Sequence, residues 1–331
     1  MKESAEDFAF APPSLKKEYK NEFFSERKRF GQRLLKNKKV MSGLLMLSVI
    51  IFFAIFGPSM NSYASDDQDL SRAYLPPKIP VLEHVPWLYL NGYDIRGVDQ
   101  YAKKGVDEYF WFGTDALGRD QWTRVWEGTR ISLYIAFLAA AIDFVIGIGY
   151  GGASGYFGGK VDIIMQRIID ILVGIPNLII IILLLLVLKP GIVSITLALV
   201  LTGWISMARV VRGQVLKLKE YEYVLAAKTL GASDTRIILR HLIPNSFGTI
   251  LVTAMFTVPS AIFFEAFLSF IGLGLAPPQA SLGTLIDKGF QSLAIYPHLA
   301  IFPAFVISAI MICFNLLGDG LRDLFDPKTE R

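Results

Sequence analysis

Six apolar runs divide this chain, and each is near the length of about 20 residues that a helix needs to cross a bilayer. Hydrophobic residues make up 53% of the chain, and polar segments separate the runs. Backbone inside lipid must satisfy its own hydrogen bonds, so runs of this kind fold as helices. The sequence therefore predicts an all-α polytopic membrane protein with six transmembrane helices at residues 40–57, 131–150, 168–188, 192–207, 247–275 and 299–317.

Basic residues are unevenly distributed around these runs. With both chain ends on one side, about 23 of the 33 Lys and Arg residues fall on that side, and loops rich in these residues stay cytoplasmic. The sequence therefore predicts cytoplasmic tails at 1–39 and 318–331, a cytoplasmic loop at 208–246 and a five-helix core over 131–317. The 58–130 segment is then a long extracytoplasmic loop, and loops of that length are usually functional or folded.

Composition argues against several kinds of site. The single cysteine, Cys313, lies in an apolar run, and His84, His241 and His298 are scattered along the chain. We therefore expect no disulfide framework and no metal site. The net charge of +4 is too modest to indicate nucleic-acid binding. This composition indicates a protein surrounded by membrane lipid.

Two glycine patterns are similar to nucleotide-binding motifs, but their surroundings do not support nucleotide binding. Gly147, Gly149 and Gly152 match a dinucleotide-binding pattern, but they follow an apolar helix and not a strand, so close helix packing explains them better. Gly159-Lys160 ends like a phosphate-binding loop, but the Ser or Thr that should follow is missing. We therefore expect no ATP site, no bound cofactor and no catalytic residues in this chain.

A polar segment, Glu220–Asn245, lies between the fourth and fifth apolar runs. Its first half has the composition of a short helix, and Gly231 is placed to end that helix in a left-handed conformation. Ser233 or Asp234 can cap a second helical segment, and Pro244 is expected to interrupt that segment before the next apolar run. From the residues alone, this is a structured loop between two membrane helices.

The loop resembles the EAA loop of ATP-binding-cassette importer permeases. The family prefers Ile and Leu before the proline, whereas this chain has His241 and Ile243, an ending similar to the oligopeptide and dipeptide branch. The resemblance implies that the loop is a cytoplasmic coupling helix that docks into a groove on an ATPase subunit. The residues that it implies for this contact are Glu222, Ala226, Ala227, Gly231, Asp234 and Pro244.

Three further segments resemble signatures of the same branch, in the same order. They are Phe112–Leu133, the EAFLSFIGLG segment that contains Glu265, and Phe314–Pro327. The resemblance implies that Glu265 lines the substrate path, although a structural hydrogen bond between helices explains a carboxylate there at least as well. The residues implied for the path are Glu265 and Asn315, and those implied for contacts at the cytoplasmic end are Asp319 and Arg322.

We assign structural roles to the other acidic residues. Asp115 and Asp120 lie in a glycine-rich loop, where exposed aspartates usually form turns, so an acid/base pair is not expected. Asp170 is expected to pair with Arg167 near the interface. Charged residues inside membrane spans indicate function by default, but Asp143 coincides with no signature of the family, and we assign it a structural role.

The resemblance covers about residues 112–327 and implies the fold of a type I ABC importer permease in a bacterial plasma (inner) membrane. The implied assembly has a second homologous permease, two ABC ATPase subunits that bind ATP and Mg²⁺, and an extracytoplasmic binding protein. The implied substrates are oligopeptides or dipeptides. Nickel or another small solute stays open as the substrate, as does a secondary transporter that works without nucleotide. A membrane-anchored scaffold is a third class.

Overall fold

The computed structural model describes residues 31–80, 82–85, 89–188 and 191–325. Most of the predicted N-terminal tail, and the C-terminal end from residue 326, therefore lie outside the described residues. Within the described part there are isolated β-bridges but no β-strand. The helices are α1 Lys38–Phe56, α2 Gln100–Lys104, α3 Gln121–Phe157, α4 Gly159–Gly174, α5 Asn177–Val187, α6 Ile192–Leu218, α7 Glu222–Thr229, α8 Asp234–Ile237, α9 Ile243–Leu268, α10 Leu282–Gln291 and α11 His298–Phe325.

The predicted all-α membrane fold is confirmed. Five helical runs in the described residues are long and apolar enough to cross a membrane, and a sixth span results if α4 and α5 count as one. These two helices form an angle of 79°. They meet at Ile175 and Pro176, where Ile175 is extended with φ −97° and ψ 127°. A proline disfavours helical conformation in the residue before it and cannot donate a backbone hydrogen bond, so the predicted 168–188 helix is bent.

Two of the spanning helices extend beyond their apolar runs. The helix that contains residues 131–150 begins ten residues earlier, at Gln121, where Asp120 Oδ2 accepts a hydrogen bond of 2.8 Å from the Thr123 amide. It continues to Phe157, and α6 continues past residue 207 to Leu218. An apolar run ends at the first polar residues, whereas the helix itself extends to the residues that cap its terminal backbone groups. The last ten residues of the predicted 58–130 loop are therefore helical.

Glycines on one face of α3 bring it against α6. A methyl group at Gly147 would lie 2.6 Å from Met207 Cβ, and one at Gly155 would lie 3.0 Å from Val215 Cβ. Gly151 is equally close to α6, whereas Gly149 has nothing within 4 Å. Of the three glycines that the sequence assigned to helix packing, Gly147 makes the close contact and Gly149 does not. The glycines that pack on α6 are Gly147, Gly151 and Gly155, spaced by four residues.

The segment between α1 and α3 is folded where the structure describes it. Leu75, Tyr101 and Phe110 are buried together, and the Tyr63 ring stacks on Phe110 with centroids 4.6 Å apart. Asp115 forms a turn, as predicted, by accepting backbone hydrogen bonds from residues 117 and 119. It is buried and not exposed, because the Arg119 guanidinium covers it at 2.6 Å.

Candidate functional site

The loop between α6 and α9 is built around α7. Its Val224 side chain is buried and packs in a small apolar cluster with residues of α6, α8 and α9. Most of the remaining α7 surface is exposed, including Glu222 and Ala226. Leu230, at the end of the helix, is 87% exposed. The helix is therefore attached to the membrane helices by one face and presents the opposite face outward.

Gly231 ends α7 in the way that the sequence predicted. Its φ is +79°, a left-handed conformation that residues with a Cβ atom rarely adopt. The Gly231 amide donates to the Lys228 carbonyl, and the Ala232 amide donates to the Ala227 carbonyl, each at 3.0 Å. These two bonds form a Schellman motif. A Cβ atom at residue 231 would have nothing within 4 Å, so the glycine is needed for its backbone and not for packing.

One side-chain contact connects the loop to the end of α3, and another connects α6 to α4. Ser233 occupies the position before α8 but makes no side-chain cap, whereas Asp234 Oδ1 accepts a 2.6 Å hydrogen bond from the Tyr156 hydroxyl. The Arg212 guanidinium binds the Asp162 carboxylate at 2.6 Å. The α7–α8 loop is therefore held to α3 on one side, while α6 is held to α4.

Pro244 was expected to interrupt the helix, and it does not. Residues 238–242 form a π-helical turn, and the Ile243 amide donates to the Ile238 carbonyl five residues earlier. Pro244 is the second residue of α9, directly after this turn. The wider turn accommodates the proline ring, so α8, the π turn and α9 form one helical run from Asp234 to Leu268. Pro244 therefore lies at the beginning of a spanning helix, away from the α7 turn.

The buried carboxylate of Glu265 is an interhelical hydrogen-bond acceptor. Ser132 Oγ of α3 and Ser269 Oγ each donate to it at 3.0 Å. The Leu282 amide, at the start of α10, donates in turn to Ser132 Oγ at 3.1 Å. Glu265 thus connects α3, α9 and α10. It does not line the cavity that lies among α3, α6 and α9. Of the two readings left open by the sequence, the geometry favours the structural one.

A cavity of about 340 Å³ lies among α3, α6 and α9, next to the start of α5. Its polar lining includes Asn177, Thr202, Ser206, Thr257 and, on α3, Asp143. The sequence assigned Asp143 a structural role because no signature covers it. The one available signal was an acidic residue in an apolar run, and the hydroxyl groups that share its cavity come from helices far apart in sequence.

Asp143 is only 4% exposed, and its Oδ1 has no hydrogen-bond partner among the described residues. Its carboxylate packs directly on the backbone of α6, where a methyl group at Gly203 would overlap Oδ2. Glycine at this position is therefore required for the carboxylate to lie where it does. The result is a buried acidic group that faces a polar cavity and has no described counter-charge.

The remaining predicted residues lie on α11. Asn315 is exposed and does not line the cavity. Asp319 is also exposed, and the structure shows no ion pair between it and Arg322 within the described residues, which exclude Asp326. The ion pair at this end of the helix joins Lys39 Nζ of α1 to Asp323 at 2.8 Å. Roles for Asn315, Asp319 and Arg322 stay predictions.

Comparison with solved structures gives a similarity to the MetNI methionine ABC transporter in an inward-facing conformation. The TM-score is 0.49 at 18% sequence identity, and the match covers 60% of this chain and 95% of that chain.

Comparison with named proteins gives longer matches. The chain is 46% identical over 301 residues to the dipeptide transport system permease protein DppC of Bacillus subtilis (strain 168), covering 91% of this chain and 85% of that protein. It is 45% identical over 299 residues to the oligopeptide transport system permease protein OppC of the same organism, covering 90% and 88%. The DppC protein of Lactococcus lactis subsp. cremoris (strain MG1363) is 43% identical, with 90% of each chain covered.

Two family descriptions match different parts of the sequence. Residues 25–77 match the N-terminal transmembrane domain of oligopeptide transport permease C. Residues 145–331, more than half of the chain, match the family described as binding-protein-dependent transport system inner membrane component. The chain therefore belongs to the binding-protein-dependent transport system inner membrane components, as the resemblance of its loop to the EAA motif implied.

Proposed function

We propose that this chain is a permease subunit of an ATP-driven importer of dipeptides or oligopeptides in a bacterial inner membrane. Its family and the names of its relatives support this function. In the proposed assembly it pairs with a second permease to enclose the substrate path. Two ATPase subunits bind ATP and Mg²⁺, and a binding protein delivers the peptide. Both chain ends and the α7–α8 loop face the cytoplasm, and the segment between α1 and α3 faces the binding protein.

The shape of the α7–α8 loop is the observation that supports this function most directly. A helix fixed by Val224 and ended by a left-handed glycine projects Leu225 and Leu230 into solvent. Exposed apolar side chains on a helix outside the membrane-spanning parts can form part of a contact with a protein partner. Glu222 is also exposed and has no ion pair in the described residues. These features suit a rigid helix that docks into a groove on an ATPase subunit.

The experiment is co-purification of the ATPase subunits with tagged Gly231→Arg and Glu222→Lys variants, together with ATP-dependent peptide uptake. We expect both variants to reach the membrane but to lose the ATPases and the uptake, because a large or oppositely charged side chain blocks a close contact. Gly97→Arg is the matched control, since Gly97 also has a positive φ and open space around it but lies in the segment between α1 and α3. It should retain the ATPases.

Retention of both ATPase subunits and of uptake by the two loop variants would show that the loop is only a connector. Uptake by the wild type that persists without ATP would instead favour a transporter that works without nucleotide. A wild-type complex that carries nickel and no peptide would instead correct the substrate while leaving the coupling role intact.

A further inference from the structure

Four of the hydroxyl groups that line the cavity among α3, α6 and α9 present lone pairs and no free hydrogen. Thr253, Thr257 and Ser260 line it, and each hydroxyl donates its hydrogen to the backbone carbonyl four residues earlier on α9, at 2.9, 3.2 and 2.9 Å. The Thr202 hydroxyl donates to Asn177 Oδ1. A hydroxyl has one hydrogen and two lone pairs. With the hydrogens used, these groups offer lone pairs to anything that enters the cavity.

Asp143 adds a carboxyl group, which attracts a cation when it is ionised, to these acceptors. No lysine, arginine or histidine is among the described residues that line the cavity. A buried carboxylate without a partner is unfavourable, because it has lost its hydration and gained nothing in return. Acidic residues inside membrane spans usually lie on the route of a substrate or an ion. The site is therefore suited to a group that carries positive charge and several hydrogen-bond donors.

We propose that Asp143 binds the N-terminal ammonium group of a peptide as it passes through the permease. This inference rests on the proposed function and names the part of the substrate that the cavity recognises. An ammonium group has three donors: one can meet the Asp143 carboxylate, and two can meet cavity oxygens such as those of Thr257 and Asn177. A bound metal ion fits less well, since the described residues contain no cluster of three or more His, Cys, Asp or Glu side chains.

The transport test uses the complete complex in proteoliposomes, with its binding protein, ATP and labelled tri-alanine. Asp143→Asn keeps the shape of the side chain and removes its charge, and we expect the maximal uptake rate to fall at least about tenfold, the effect of losing a hydrogen bond to a charged group. Asp170→Asn is the matched control. Asp170 is half-exposed on α4 and lies 3.7 Å from Arg209, so its variant should stay within about twofold of wild type.

Asp143→Asn uptake within about twofold of wild type, at equal complex yield, would overturn the inference. Loss of uptake in Asp170→Asn to the same degree would overturn it too, because any carboxylate change would then suffice. The first result leaves the peptide-import proposal standing if the wild type transports. A wild-type complex that takes up no peptide would instead remove the import proposal.

A second measurement needs neither transport nor the binding protein. Dicyclohexylcarbodiimide modifies carboxyl groups in apolar surroundings, and mass spectrometry locates the modified Asp143 in the purified complex. We expect tri-alanine amide, which has an N-terminal ammonium, to protect Asp143, and N-acetyl-tri-alanine amide, which has none, to leave it reactive. Protection by N-acetyl-lysine amide alone would assign the site to side-chain ammonium groups and overturn the N-terminal assignment. Equal protection by all three compounds, or by none, would overturn ammonium binding.

Discussion

Adding one methyl group at Gly151 tests whether glycine sets the distance between α3 and α6. The new Cβ would lie 2.9 Å from Val211 Cβ and 3.0 Å from the carbonyl carbon of Ala208. Carbon atoms in favourable contact are about 3.5–4.0 Å apart, so the two helices would have to separate by about 0.5–1 Å. The Ala208 atoms are backbone and cannot rotate away. Overpacking of this kind costs about 1–3 kcal/mol.

Gly149→Ala on the same helix is the matched control, because a Cβ there has nothing within 4 Å. Alanine favours helix over glycine by about 1 kcal/mol, so this variant should be as stable as wild type or more stable. The propensity gain is common to the two single-methyl variants, so they should differ by the overpacking cost alone, about 1–3 kcal/mol.

The assay is heating of the purified protein in detergent, followed by size-exclusion chromatography of the fraction that stays monodisperse. Gly151→Ala should lose this fraction at a lower temperature than wild type, and Gly149→Ala should not. Coincident melting of the two variants would refute the packing argument, since both add the same group to the same helix.

Two further changes test the buried carboxylate of Glu265 and the partly desolvated amine of Lys288, whose side chain is exposed, each by thermal stability. Glu265→Ala should cost about 2–4 kcal/mol because the Ser132 and Ser269 hydroxyls lose their acceptor, and Glu265→Gln should cost less; equal losses would contradict the hydrogen-bonding role. Burial, and then the like charge of Arg124, lowers the pKa of Lys288 below its usual 10.5. Folding is then penalised as pH falls and Lys288 charges, so Lys288→Met should stabilise the protein at pH 7 and have little effect above pH 10.5. A stability difference independent of pH would contradict this pKa shift.

Features that depend on a few neighbouring residues could be read from the sequence. The left-handed turn at Gly231 is one, because a glycine after a short helix has few alternatives. The number and approximate places of the apolar runs are another, since hydropathy and length decide them.

Features that depend on distant residues could not be read in the same way. Predicting the 79° angle at Ile175 and Pro176 would require knowing that packing against neighbouring helices does not straighten the break. The helix continues through Pro244 because a π turn precedes it, and hydrophobic periodicity does not reveal such a turn. The unpaired carboxylate of Asp143 becomes significant only when Thr202 and Thr257, from two other helices, are found around the same cavity.

The helical run from Asp234 to Leu268 provides a mechanical connection between the loop and the cavity. Thr253 and Thr257 line the cavity, and Thr253 follows Pro244 by about 14 Å at 1.5 Å per residue. No flexible linker lies between them. A displacement of the loop by a partner therefore shifts the cavity wall with it, and the oxygens that share the cavity with Asp143 change position whenever the loop end of this helix is pushed.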